Sequence, residues 1–161
     1  MKWLSTVAFL VVAIAASAGQ EAPVADPGPA INGMYSFVHE GEFVQLEFVN
    51  GRLEGVVSRF KSDDPEKADA EFVDQYFESG KLEGTKLSFR TKERAGVWFE
   101  FEGVVERGSG KAPSDEAYWI IRGKLTEHRN NDGKVSEKTH ELTMKSFPQD
   151  AAPEPTAQRH Q

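Results

Sequence analysis

Val97-Trp98-Phe99-Glu100-Phe101-Glu102-Gly103-Val104-Val105-Glu106 is the stretch that decides the fold. Apolar side chains stand at the odd positions and glutamates at three of the even ones, the period of two that marks a half-buried strand; an amphipathic helix would repeat at three and four. The next apolar run, Tyr118-Trp119-Ile120-Ile121-Arg122-Gly123-Lys124-Leu125, continues the pattern. No charge interrupts Val97, Phe99, Phe101, Val105, Trp119, Ile121 and Leu125, which are therefore assigned to an inward face. Glu100, Glu102 and Glu106 fall on the solvent face.

Working outward, the same alternation appears in about eight runs, near residues 33–39, 42–49, 52–60, 71–78, 81–91, 97–106, 117–128 and 134–146. Asn50-Gly51, Ser79-Gly80 and Asn131-Asp132-Gly133 supply the residue types that tight hairpin turns need. Most connections are short enough to force antiparallel neighbours. The longer loops are the acidic Lys61–Asp69 segment and the Gly-rich Arg107–Pro113 segment, where a site has room to form. Phe48-Val49-Asn50-Gly51-Arg52-Leu53-Glu54-Gly55 is echoed by Phe77-Glu78-Ser79-Gly80-Lys81-Leu82-Glu83-Gly84, each read as a turn feeding a strand. Gly55 and Gly84 then fall inside strands, where glycine marks a bulge or a close backbone approach. The shift of apolar parity from Leu82 to Leu87 and Phe89 points to one extra residue. The expected fold is all-β: an antiparallel up-and-down meander of about eight strands curled into a barrel, with a two-sheet β-sandwich as the alternative.

Gly80-Lys81-Leu82-Glu83-Gly84-Thr85-Lys86-Leu87-Ser88-Phe89, Trp98–Val105 and Ile121-Arg122-Gly123-Lys124-Leu125 resemble exported bacterial lipocalin-like β-meander domains of unassigned function. The likeness covers most of residues 33–147, rests on glycine and hydrophobic spacing, and implies a fold without implying any functional residue. Gly33-Met34-Tyr35 stands where true lipocalins open with Gly-x-Trp.

Residues 1–18 read as a signal peptide: Lys2, the apolar run Val7–Ala15, and a small-x-small site at Ala16-Ser17-Ala18. The run is about half the length of a spanning helix, and a polar, Pro-containing stretch follows. Cleavage is expected after Ala18, giving a soluble periplasmic or extracellular domain without a membrane span. Residues 19–30 and 149–161 read as a disordered tether and tail around a single domain at 31–148. The chain has no cysteine, so no disulfide or lipidated cysteine holds it, and its 11 Phe must supply much of the core. Without Lys2 the mature chain carries 18 basic residues against 26 acidic ones, net −8. That charge, spread without basic clusters, argues against nucleic acid as a partner.

Metal chemistry lacks its spacing. His39, His128, His140 and His160 form no paired ligand set, although His39 and His140 would be neighbours in a closed barrel. Asn130-Asn131-Asp132-Gly133 resembles the middle of a calcium loop, but His128 and Thr139 occupy the positions that need carboxylates. The acidic loop reads as a solvated charge run. Gly108-Ser109-Gly110-Lys111 lacks the Ser/Thr and helix of a phosphate loop and reads as a flexible connection. No cofactor or metal is expected. Trp98, on the face of Glu100, and Tyr118, on the face of Arg122, place aromatic rings on the polar parity, so Trp98, Tyr118 and Arg122 are the candidate ligand- or partner-binding residues; the alternative makes both rings core. The functional expectation is a monomeric, non-catalytic exported domain that binds a small apolar ligand or an envelope protein. The alternative is an acid–base hydrolase using Glu side chains.

Overall fold

The structure, a computed structural model, describes residues 27–61 and 71–149. The expected leader, most of the tether, the tail beyond Gln149 and the acidic loop from residue 62 lie outside the described residues. Within them the chain is all-β. A 3-10 turn at Gly28–Ile31 leads into β1 (Gly33–Ser36), β2 (Phe43–Val49), β3 (Arg52–Phe60), β4 (Phe72–Glu83), β5 (Lys86–Thr91), β6 (Val97–Arg107), β7 (Trp119–Asn131) and β8 (Lys134–Lys145). Each strand pairs antiparallel with its sequence neighbours in one eight-stranded up-and-down sheet. Pro27 and Gly28, in the stretch read as tether, are buried, and Ile31 joins the core.

The sheet curls until its ends meet at one corner. Tyr35 bridges Ser146, the Phe147 amide donates to the Met34 carbonyl at 2.8 Å, and the Lys145 amide donates to Ser36 Oγ at 3.0 Å. Gly103 and Gly123, directly opposite each other on β6 and β7, permit the curl: a Cβ on Gly123 would stand 2.1 Å from the Glu102 carbonyl oxygen. The Phe101 ring lies over the space that a Gly103 Cβ would fill.

Two local expectations fail for identifiable reasons. Ser79-Gly80 is not a turn; β4 runs through it, and the hairpin falls at Gly84-Thr85, with Gly84 at φ 58°. Gly80 faces inward opposite Phe89, where a Cβ would stand 2.2 Å from the Leu53 carbonyl oxygen, so it serves close approach rather than positive φ. Asn50-Gly51, its echo, is a true turn with both φ angles positive. The parity change between Leu82 and Leu87 needs no extra residue, because a two-residue hairpin pairs Glu83 with Lys86 and so reverses parity. The bulge lies earlier, between Phe77 and Ser79. There β4 changes partner, pairing with β3 up to Tyr76 and with β5 from Phe77.

All seven residues assigned inward on β6 and β7 are buried. Phe77, Phe89 and Phe101 stack in series, with centroids 4.4 and 5.3 Å apart, and Phe37 meets Phe99 edge-on at 5.4 Å. Each such contact adds about 0.5–1.5 kcal/mol to the burial of the rings. One end of the interior is polar and internally bonded. Arg59 Nε donates to Gln75 Oε1 at 2.5 Å, and Gln75 Nε2 donates to the carbonyls of Lys92 and Val97 at 3.1 and 2.9 Å. Buried Glu42 accepts the amides of Phe60 and His39 at 3.0 and 3.1 Å. Bonding of this kind removes the cost that unpaired buried polar groups would carry.

Candidate binding surface

The filled interior decides where a ligand can sit. Beneath Arg59, Phe60 and Phe99 the polar end leaves a cavity of about 20 Å³. That holds a water molecule, whereas small-ligand sites run to about 300 Å³ and more. Larger concavities lie outside. One, of about 450 Å³, follows the seam where β8 parts from the chain after β1 and contains both His39 and His140. The two histidines are thus brought together as barrel closure would require, but no group of three or more metal-ligating side chains occurs among the described residues. Another, of about 730 Å³, opens where β4 leaves β3.

Trp98, Tyr118 and Arg122 do not gather into one patch. Trp98 pairs with His128 and Arg122 with Val104, six residues along β6, which separates them by roughly 20 Å. Trp98 lies on the outward face with its ring stacked parallel on His128 at 4.8 Å, and Arg90 lies 5.7 Å from the Trp98 ring centroid. His128 is only 7% exposed, since Trp98 covers it and Glu100 and Glu137 flank its nitrogens at 3.5 and 3.2 Å. Tyr118 packs against the core with the Arg107 guanidinium 3.3 Å from its ring centroid. Arg122 is exposed and pairs with Glu106 at 3.3 Å. The Gly-rich loop is also held: its Gly108 and Gly110 amides bond the carbonyls of Tyr118 and Ala117, and Asp115 accepts the amides of Lys111 and Ala112.

The outward face is mostly self-satisfied. Arg90 binds Glu78 at 2.7 Å and also Glu100, Lys81 meets Glu83, Lys61 meets Glu71, and Thr126 bonds Thr139 across β7 and β8. Two groups show the electrostatic consequence of their surroundings. The Lys61 ammonium, by hydrogen bond and charge, holds the Glu71 carboxyl below the usual range, and burial pushes the Tyr35 phenol, which donates to the Ile31 carbonyl at 2.7 Å, far above its usual range.

The trough beside β4 departs from this pairing. Val56, on β3, pairs with Tyr76, so the Tyr76 ring projects outward; it is 62% exposed, the most open of the large apolar side chains among the described residues. Glu47 on β2 stands directly opposite Glu54 on β3, a like-charge cross-strand pair, and such pairs destabilise. The side chains of Gln45, Glu47, Arg52 and Glu54, which line the trough with Tyr76, have no hydrogen bond or ion pair among the described residues. A second groove of about 730 Å³ on the other side of β4 shares Tyr76 and Lys92 with the first. Strand parity pointed to Tyr76 only faintly, through its place on the parity of Phe72 and Asp74; the bulge beyond it hides which parity faces out.

Glu100 and Glu106 are only partly exposed because of their ion pairs, and Glu102 stands free in solvent. Among the described residues no helix is long and apolar enough to cross a membrane. The fold thus defines an eight-stranded, curled antiparallel meander. No family model and no curated protein matches the chain.

Proposed function

We propose that this is an exported, non-catalytic binding domain that engages an envelope partner on the outside of its sheet, in the trough beside β4. Residues 1–18, read as an export signal, place it outside the cytoplasm in this proposal. The observation that carries the reading is a contrast: the interior is packed with stacked phenylalanines, while the trough combines an open ring with polar side chains that have no side-chain partner among the described residues. Desolvated aromatic anchors ringed by polar groups dominate binding surfaces generally. Hydrolytic chemistry would instead need two carboxyls held in unlike surroundings within a cleft, and Glu47 and Glu54 are both exposed on one face.

Two measurements test this on the mature domain. It should co-sediment with isolated cell-envelope fractions, and Tyr76→Ala and Arg52→Ala should each weaken that at least fivefold while Arg122→Ala does not. Titration with an apolar fluorescent probe should show no saturable, one-to-one uptake. Envelope binding indifferent to both trough substitutions, or stoichiometric probe uptake by the native protein, would overturn the reading.

A further inference from the structure

We propose that the trough takes a glycan, an uncharged chain of pyranose rings laid across β4 over Tyr76 and toward Phe72. This rests on the trough being the binding surface, and goes further in naming the chemistry of what it binds. Phe72 and Tyr76 share the outward register of β4, four residues and therefore about 13 Å apart. Phe72 is 48% exposed, and Phe60 on β3 supports its ring from the side at 4.5 Å. The C–H face of a pyranose is apolar and slightly positive, the complement of the negative face of an aromatic ring. Two such platforms on one straight strand suit a chain that presents ring after ring.

The polar lining selects the same class. Glu47 and Glu54 are acceptors with no donors of their own, and sugar hydroxyls donate to both without adding charge, which eases their mutual repulsion. Arg52 and Gln45 supply donors for the remaining hydroxyl lone pairs. The first groove is lined by Glu47, Glu54 and Glu78, the last already paired with Arg90, and by the cations Arg52 and Lys92. A polyanion would meet the carboxylates and a polycation the two basic groups, so the balance favours a neutral ligand. The second groove, continuing past Tyr76 and Lys92 to Phe72, gives an extended chain a path that a compact molecule would leave empty.

The test uses the mature domain with soluble, uncharged N-acetylated chito-oligosaccharides and with cello- and malto-oligosaccharides. Binding is read by titration calorimetry and by amide shifts in nuclear magnetic resonance. At least one glycan should bind, shifting the amides of residues 45–56 and 72–78. Tyr76→Ala should weaken it tenfold or more, Phe72→Ala two- to fivefold, and Tyr76→Phe less than threefold; Trp98→Ala should leave it unchanged. Unaltered circular dichroism of these surface variants excludes misfolding as the cause. Glycan binding that ignores Tyr76→Ala, or no glycan binding at all, overturns the proposal. If envelope co-sedimentation then persists, still depends on Tyr76 and is abolished by protease treatment of the envelope, the partner is a protein and the binding surface stands. If that dependence is absent too, both readings fall.

Discussion

Replacing Phe99 with Ala tests whether the barrel is filled or hollow. The ring is 3% exposed, takes the edge of Phe37 at 5.4 Å and lies 5.6 Å from the Arg59 guanidinium. In a filled core the truncation removes the transfer energy of the ring and leaves a void, for a loss of about 3–5 kcal/mol. The upper half of that range is expected, because a buried guanidinium loses its aromatic neighbour as well. Against a total stability of about 5–15 kcal/mol this is about a quarter or more of what holds the domain together. At roughly 4 °C per kcal/mol for a domain of this size, the melting temperature should fall by roughly 16–20 °C. Urea unfolding of the mature domain measures the loss directly, with Phe72→Ala as the exposed control expected within about 1 kcal/mol of the parent. A loss for Phe99→Ala below about 1.5 kcal/mol would mean that the ring lines a space rather than fills one. A packed interior would then no longer direct ligands to the outside of the sheet.

Tyr35→Phe should cost about 1–2 kcal/mol at neutral pH, because the Ile31 carbonyl loses its buried donor. The same residue predicts an alkaline decline: above about pH 10 the phenol ionises in the unfolded chain while burial keeps it protonated in the fold. The unfolded state then binds fewer protons and stability falls as pH rises, a slope that denaturant titrations should show in the parent and find reduced in Tyr35→Phe. Gly123→Ala should cost about 1–3 kcal/mol, since its Cβ would meet the β6 backbone, the Glu102 carbonyl oxygen at 2.1 Å and the Gly103 Cα at 2.5 Å. An unchanged melting curve would show that β6 and β7 approach less closely than described here.

The architecture was legible where alternation is uninterrupted. On β6 and β7 the opposite parity would have turned Glu100, Glu102, Glu106, Arg122 and Lys124 inward, and the seven residues assigned inward are all buried. Legibility failed where one residue type serves two physical ends. Gly51 and Gly80 occupy matching places in the echoed segments, yet the first supplies positive φ and the second makes room for a neighbouring carbonyl. Local sequence does not distinguish these uses, because the deciding atom in the second case belongs to Leu53, on another strand. His128 shows the same limit from the other side: strand parity places it outward, as observed, but its burial comes from Trp98 and the flanking carboxylates of separate strands.

Trp98, Tyr118 and Arg122 were singled out because aromatic and cationic groups on polar parity often mark binding patches, but parity says nothing about distance along a strand. Register supplies that distance, and it sets Trp98 and Arg122 roughly 20 Å apart while giving each a local partner: His128 for Trp98 and Glu106 for Arg122. The trough arises from a different cause. At the Phe77/Ser79 bulge β4 exchanges β3 for β5, so the first half of β3 is close to β4 but no longer paired with it, and its outward groups lose the cross-strand partners that satisfy charges elsewhere on the sheet. Glu47 and Glu54 face each other across the β2–β3 pair, and neither forms an ion pair among the described residues. A single inserted residue in β4 thus accounts for the groove, for the exposure of Tyr76 at its rim and for the unspent hydrogen-bonding groups inside it. Bulges recur next to functional sites because they re-aim side chains and end pairing, and here both effects converge on the same few residues.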